Sequence, residues 1–343
     1  MPRAPLALPQ DTPRNQPLAA PRVAAHLAHW AGSEPRRMAL AQIVNSIAEH
    51  SIPLALRLAQ GNLTGNPNAS VGINDSGDRQ KALDIAAHDH FLAAMRGCSV
   101  ARMVSEEAAE VITLKQDGLF DLAIDPVDGS GSIGIGAPLG TLFCIFPAGE
   151  SFDRPGREIV AAGYVSFGHS VDFGFSLGNG VTIATLEPLS GQFHIDPPSV
   201  SLAPDTTTIA FNASNYRHWA PGLQRYCDDL VQGADGPRGR DFNMRWIAAA
   251  VGDLHRILRR GGVFLYPADK RPGYDAGFLR LLYEAFPIAF LIEQAGGAAT
   301  DGCIPILDLS ANQLHMRVPL VFGSRAEVAT LGTYLTTSTP QET

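Results

Sequence analysis

Lysine is nearly absent from this 343-residue sequence: Lys81, Lys115 and Lys270 are the whole complement, so arginine carries almost all the positive charge. Acids outnumber bases 34 to 26, a net charge of −8, which leaves no basic stripe to grip a nucleic-acid backbone. No apolar run approaches the roughly 18 residues a membrane span needs. Neither nucleic acid nor membrane is therefore expected as a partner. The four cysteines, Cys98, Cys144, Cys227 and Cys303, stand far apart, with no C-x-x-C pair and no histidine at ligand spacing. That argues against a disulfide framework or structural zinc site and fits a reducing compartment. Only 17% of residues are charged while 45% are hydrophobic, which excludes a disordered chain and permits an ordinary core. The length suits two domains or one large α/β unit.

Prolines at 2, 5, 9, 13, 17 and 21 make residues 1–21 a mobile tail, without the apolar stretch of a signal peptide. A cytoplasmic protein is expected. Residues from Thr336 onward read as equally loose. Apolar spacing predicts a helix over Met38–Ile47, interrupted at Pro53, and a second over Asp78–Met95 stopped by Gly97. Between them, Gly61–Gly77 reads as a long Asn/Gly loop, either a functional lid or plain surface. Strands are expected at 101–105, 119–124, 141–146, 159–167, 173–177 and 181–186, with Gly178-Asn179-Gly180 turning a hairpin. Pro197-Pro198 marks a boundary between an N-terminal α+β domain (22–195) and a C-terminal domain (196–343). The latter alternates: strand 208–211, helices 219–230 and 246–259, strand 263–265, helix 279–294, strand 320–322 and helix 325–334.

The stretch Phe120 to Ser132 carries the most chemistry. A strand ends at Asp125, and Pro126 turns the chain to bring Asp128 back beside it. Two carboxylates with the Val127 carbonyl between them form a hard-oxygen set suited to Mg²⁺. Gly129-Ser130-Gly131-Ser132 follows, small enough for backbone N–H groups to converge on a phosphate. An Asp-rich surface turn is the plain alternative. Glu106 and Glu107 end another strand, where α/β sites collect ligands. Asp84 lies on a helix with His88 one turn on, and Glu284 opens an apolar helix. Taken singly, these two read as a helix-face charge and a helix-dipole partner.

Together these pieces resemble class 1 fructose-1,6-bisphosphatases. Ser105-Glu106-Glu107, Asp125-Pro126-Val127-Asp128-Gly129-Ser130, Phe264-Leu265-Tyr266-Pro267-Ala268, Leu281-Leu282-Tyr283-Glu284, Phe290 to Gly297 and Leu314 to Pro319 stand in the family's order. The resemblance runs from about Ile43 to Leu331 and implies a layered αβαβα sandwich of two domains, a mixed α/β (α+β) fold. It implies Mg²⁺-dependent hydrolysis of the 1-phosphate of fructose 1,6-bisphosphate, in gluconeogenesis or the Calvin cycle, with sedoheptulose 1,7-bisphosphate as a further candidate. Two or more Mg²⁺ per subunit, replaceable by Mn²⁺, would be held by Glu106, Asp125, the Val127 carbonyl, Asp128 and Glu284, with Asp78 nearby. Asp84 and Glu107 would activate the attacking water. Asp128, Gly129, Ser130, Gly131, Asn212, Arg245, Tyr266 and Arg280 would meet the substrate, Arg245 reaching a neighbouring site in a homotetramer.

The sequence departs from that family at several places. Phe278 replaces a phosphate-gripping lysine, Trp246 a tyrosine, and Gly131-Ser132 a serine and an asparagine; Tyr216 is displaced by one position. Lys270, Arg271 and Arg280 lie close enough in sequence to compensate. Leu119, Phe120 and Pro147 stand where animal enzymes of the family bind AMP through a lysine-tyrosine pair and an arginine, and the loss of the basic side chains predicts AMP insensitivity. An inositol-monophosphatase-like enzyme and a non-catalytic sugar-phosphate binder are the alternatives.

Overall fold

The computed structural model describes residues 20–73, 79–197 and 199–336. Asp78 and most of the two tails therefore lie outside the described residues. The chain opens with α1 (Val23–Ala31) and α2 (Pro35–Ala59). Glu34 sets the start of α2, its carboxylate accepting the N–H groups of Arg36 at 2.9 Å and Arg37 at 2.7 Å. Pro53 does not end that helix. Ser51, Leu54 and Ala55 around it are buried, and this packing offsets the hydrogen bond that proline cannot donate. The segment expected to be one long loop contains a strand, β1 (Ser70–Ile73), paired with β2 (Arg79–Lys81), and α3 begins only at Ala82 (Ala82–Met95).

The remaining strands of the first half are β3 (Val100–Ser105), β4 (Ile112–Thr113), β5 (Phe120–Asp128), β6 (Leu139–Pro147), β7 (Ala161–Phe167), β8 (Val171–Ser176), β9 (Thr182–Glu187) and β10 (Gln192–Ile195). They form one eight-stranded sheet in the order β10-β9-β8-β7-β6-β5-β3-β4. Only the β3–β5 pair is parallel. Residues 20–22 are not free. Ile195 donates its N–H to the Pro21 carbonyl at 2.8 Å and His194 bonds to Ala20, so the end of the presumed tail lies along β10.

The second half runs β11 (Thr208–Ala210), α4 (Pro221–Gln232), β12 (Asn243–Met244), α5 (Ala250–Arg260), β13 (Val263–Tyr266), β14 (Leu279–Arg280), a π-helical turn (Leu281–Ala285), α6 (Phe286–Gln294), β15 (Ala298–Thr300), β16 (Arg317–Val318), β17 (Leu320–Gly323) and α7 (Arg325–Thr336). A five-stranded sheet has the order β12-β11-β13-β17-β15, and β14 pairs with β16 as a separate ribbon. The helix expected over 279–294 is thus strand, π-turn and helix in succession.

Side-chain alternation along the strands assigns the layers. In β5, Leu122 and Ile124 face a core shared with α1, α2 and α3, while Ala123 faces a second core with Leu254 of α5 and Ile288 of α6. In the five-stranded sheet, Phe264 and Phe322 point into that second core; Val263, Leu265 and Val321 point into a third, under α4 and α7. Helices, large sheet, helices, small sheet and helices therefore stack as an αβαβα sandwich. Strands covered on both faces need near-continuous apolar sequence, and every residue of β5 is buried.

Candidate active site

Parallel β3 and β5 deliver their C-terminal ends side by side. Backbone pairing continues past β3, where Glu106 donates its N–H to the Ile124 carbonyl at 3.3 Å, setting Glu106 beside Asp125. The strand expected to stop at Asp125 continues to Asp128 through a register shift between these two aspartates. Pro126 occupies the irregular stretch, where no ladder N–H is required, and its carbonyl accepts the Thr141 hydroxyl at 2.8 Å. Asp125 Oδ1 accepts the Val127 N–H at 2.8 Å. Asp128 Oδ2 accepts the Val251 N–H at 2.7 Å, which caps the first turn of α5.

The π-turn brings in the third acid. Glu284 accepts the Arg280 backbone N–H at 2.5 Å and stays buried among Leu282, Tyr283 and Ala285. Oxygens of Asp125, Asp128 and Glu284 lie within 4.8 Å of one another. Burial, reinforced by the neighbouring acids, pushes the Asp125 and Glu284 carboxyls well above the usual carboxylate range. Burial also raises Asp128 to about 6. Glu106 is raised to about 7, by burial first and by Glu107 second. Four crowded carboxylates resist carrying charge together, which is the state a hard divalent cation would relieve.

These acids line a cleft of about 350 Å³ together with Val127, Gly129, Ser130 and Gly131; Trp246, Tyr266, Phe278 and Arg280 also line it. Gly129 takes φ 77°, and a Cβ there would stand 2.6 Å from that of Ala249. The loop after β5 thus requires glycine at this position.

Asp84 and Glu107 are not among the lining residues. Asp84 is buried on α3, with Oδ2 accepting the Lys81 N–H at 3.1 Å and Oδ1 without a hydrogen-bond partner among the described residues. Burial is the main cause that raises it to about 6, and the Glu107 charge adds to it. Glu107 accepts the Gln80 amide at 2.8 Å. Asn212 and Arg245 do not line this cleft either: Asn212 caps a short helical turn by accepting from Ser214, and Arg245 is exposed just beyond β12.

Sequence reasoning missed three contributors. Lys81 Nζ donates to the Ser130 carbonyl at 2.5 Å and ties α3 to the glycine-serine loop. Gln80 holds Glu107. Ala248 lines the cleft with φ 70°, the one described non-glycine residue in the left-handed region, and strain of this kind gathers at working sites. The scarcity of lysine was a usable signal for the first; alanine gives none for the last.

Comparisons with known proteins bear on the family and the fold. The families described as Fructose-1-6-bisphosphatase, N-terminal domain, and Fructose-1-6-bisphosphatase, C-terminal domain, match residues 29–197 and 202–336. The chain is 51% identical over 333 residues to the fructose-1,6-bisphosphatase class 1 proteins of Brucella suis and Brucella abortus, covering 96% of this chain and 97% of theirs. Among solved structures, it superposes on Leishmania major fructose-1,6-bisphosphatase in holo form with a TM-score of 0.84 and 28% identity, over 92% of this chain and 99% of that one. The T-state structure of the same protein gives 0.82 and 26%, with the same coverage.

Proposed function

The chain belongs to the class 1 fructose-1,6-bisphosphatases, and from that premise we propose that it hydrolyses the 1-phosphate of fructose 1,6-bisphosphate with Mg²⁺, yielding fructose 6-phosphate and phosphate. The carrying observation is the convergence of Asp125, Asp128 and Glu284 oxygens within 4.8 Å beside a glycine-serine loop. A buried, all-oxygen donor set fits Mg²⁺, and Mn²⁺ as its substitute. Those three acids would hold the metal, with Glu106 and the Val127 carbonyl as further ligands and two or more ions per subunit. When bound, the cation supplies Lewis acidity to the phosphoryl group and its leaving oxygen.

The protein's own groups do the rest. Gly129, Ser130 and Gly131 cradle the reacting phosphate. Asp84 accepts the proton of the attacking water, since a carboxyl raised to about 6 is a far better base than an ordinary aspartate and is still ionised at neutral pH. Glu107, steadied by Gln80, acts with it. Tyr266, Arg280 and Asn212 position the sugar and its second phosphate, and Arg245 serves the site of a neighbouring subunit in a homotetramer. In this reading residues 22–195 are the metal domain and 196–343 the substrate domain. Among the described residues no helix is long and apolar enough to cross a membrane, and a cytoplasmic enzyme suits the reading.

The test is phosphate release from fructose 1,6-bisphosphate, sedoheptulose 1,7-bisphosphate and inositol 1-phosphate by purified protein with Mg²⁺. The reading expects the hexose bisphosphate to be cleaved and inositol 1-phosphate to be spared. Selective cleavage of inositol 1-phosphate would overturn it.

A further inference from the structure

Asp253 is fully buried in the first turn of α5, and no step of the reaction described above uses it. Its position is unfavourable on two counts. A carboxylate out of water needs donors for both oxygens, and this one stands close enough to Asp128 for its charge to oppose ionisation there. Both oxygens are answered. Oδ1 accepts from Arg256, Nε at 3.2 Å and Nη2 at 3.1 Å. Oδ2 reaches back out of the helix to the Ile247 N–H at 3.0 Å, and the carboxylate also takes the Ala248 N–H.

Those two N–H groups belong to residues 246–249, the turn that runs from β12 into α5. Trp246, Ala248 and Ala249 of that turn line the cleft. Ala248 sits at φ 70°, a conformation alanine avoids because its Cβ crowds the following carbonyl. A residue keeps such an angle only where its surroundings impose it. Asp253 imposes it by holding two successive N–H groups. Packing adds to this, since Ile247 lies over Gly252, where a Cβ would come within 2.8 Å of its Cγ2.

The bend decides what meets the acids. Ala249, at the start of α5, has no side chain to cap the helix, and the carboxylate that takes the Val251 N–H at 2.7 Å is Asp128. The same turn sets Ala249 against Gly129, with no room for a Cβ between them. The start of α5 is therefore a fitted surface for the loop after β5, and its place depends on the angle at Ala248.

Resting on the bisphosphatase reading, we propose that Asp253 is a positioning residue: it clamps residues 246–249 in the left-handed bend at Ala248, and through that bend it holds the Val251 N–H on Asp128 and orients Asp128 as a metal ligand. Asp253 acts through the backbone rather than as a ligand itself. An outlying partner of this kind sets metal affinity without touching the metal.

The test is calorimetric titration of chelator-treated protein with Mg²⁺ alone, well below the melting temperature, alongside phosphate release from fructose 1,6-bisphosphate. Asp253→Asn leaves one acceptor oxygen where two are used, and it is expected to weaken Mg²⁺ binding about tenfold or more. Glycine adopts the bend without a clamp, so Ala248→Gly added to Asp253→Asn should restore most of that loss. With Asp253 intact, Ala248→Val should reproduce the loss, because a β-branched residue does not accept this angle; that arm stands even if Asp253→Asn fails to fold. Unchanged Mg²⁺ affinity in Asp253→Asn, a loss that Ala248→Gly does not restore, or wild-type affinity in Ala248→Val would overturn the proposal. A wild-type protein whose Mg²⁺ affinity depends on Asp253 in this way yet releases no phosphate from the bisphosphate would instead refute the bisphosphatase reading alone.

Discussion

Asp128 serves two partners at once. One oxygen caps α5 through Val251, and the group also stands in the carboxylate cluster with Asp125 and Glu284. Asp128→Asn removes the charge while keeping the shape, so the fold should survive. Phosphate release should fall by more than about a hundredfold, the usual upper range for losing even an indirect metal partner. The raised carboxyls also set a pH dependence. In the metal-free fold Asp128 titrates near 6 and Glu106 near 7, above their ordinary values of 3.8 and 4.5. The folded state then holds protons that the unfolded chain has released, so these groups favour folding as pH falls through that window and oppose it as pH rises. A cation must displace the same protons, so Mg²⁺ should raise the melting temperature more at about pH 8 than at about pH 5.5. Thermal unfolding with and without Mg²⁺ checks this; an equal gain at both values would show that the acids do not bind it. At this scale the sequence was informative wherever charge was unusual, as in D-P-V-D-G and E-E. It was silent on Gln80 and Ala248, whose roles come from a partner and a backbone angle that only the folded chain creates.

The element that organises the site is β5 with the turn behind it. Local rules read D-P as a strand end, yet pairing with β6 resumes at Asp128 opposite Gly140 after the shift in register. Tertiary pairing thus overrides a turn signal. The π-turn was equally invisible to periodicity, because one extra residue per turn changes where Glu284 points without altering the apolar pattern. In the fold, the Glu284 carboxylate reaches back to accept the backbone N–H of Arg280, just ahead of the turn. Gly129 gives the element-scale prediction. A methyl group there meets Ala249 at 2.6 Å, and the backbone is left-handed, so Gly129→Ala must push the loop away from the start of α5. A loss of about 1–3 kcal/mol in denaturant unfolding is expected, together with a raised KM. Wild-type stability and KM would mean that the loop does not depend on this contact.

Across the whole molecule, alternation and helical spacing picked out the long elements, while the five layers were expected from the family resemblance and not from the pattern. Short strands such as β12, β15 and β16 escaped notice because two or three residues carry no period. Regulation is a property at this scale. The family resemblance aligns Leu119, Phe120 and Pro147 with a lysine, a tyrosine and an arginine expected to hold AMP in animal enzymes; here Phe120 is buried and paired with Pro147, and Arg36 lies 5.2 Å from its ring. Millimolar AMP should leave the rate unchanged, and strong inhibition would contradict that expectation. The central claim is that buried acids at the ends of β3 and β5, with Glu284 from the π-turn, form a cation-dependent phosphatase centre. Its most direct test is phosphate release from fructose 1,6-bisphosphate by chelator-treated protein titrated with Mg²⁺. The account predicts no turnover without the cation and a saturable return as it is added; an undiminished rate in excess chelator would contradict it.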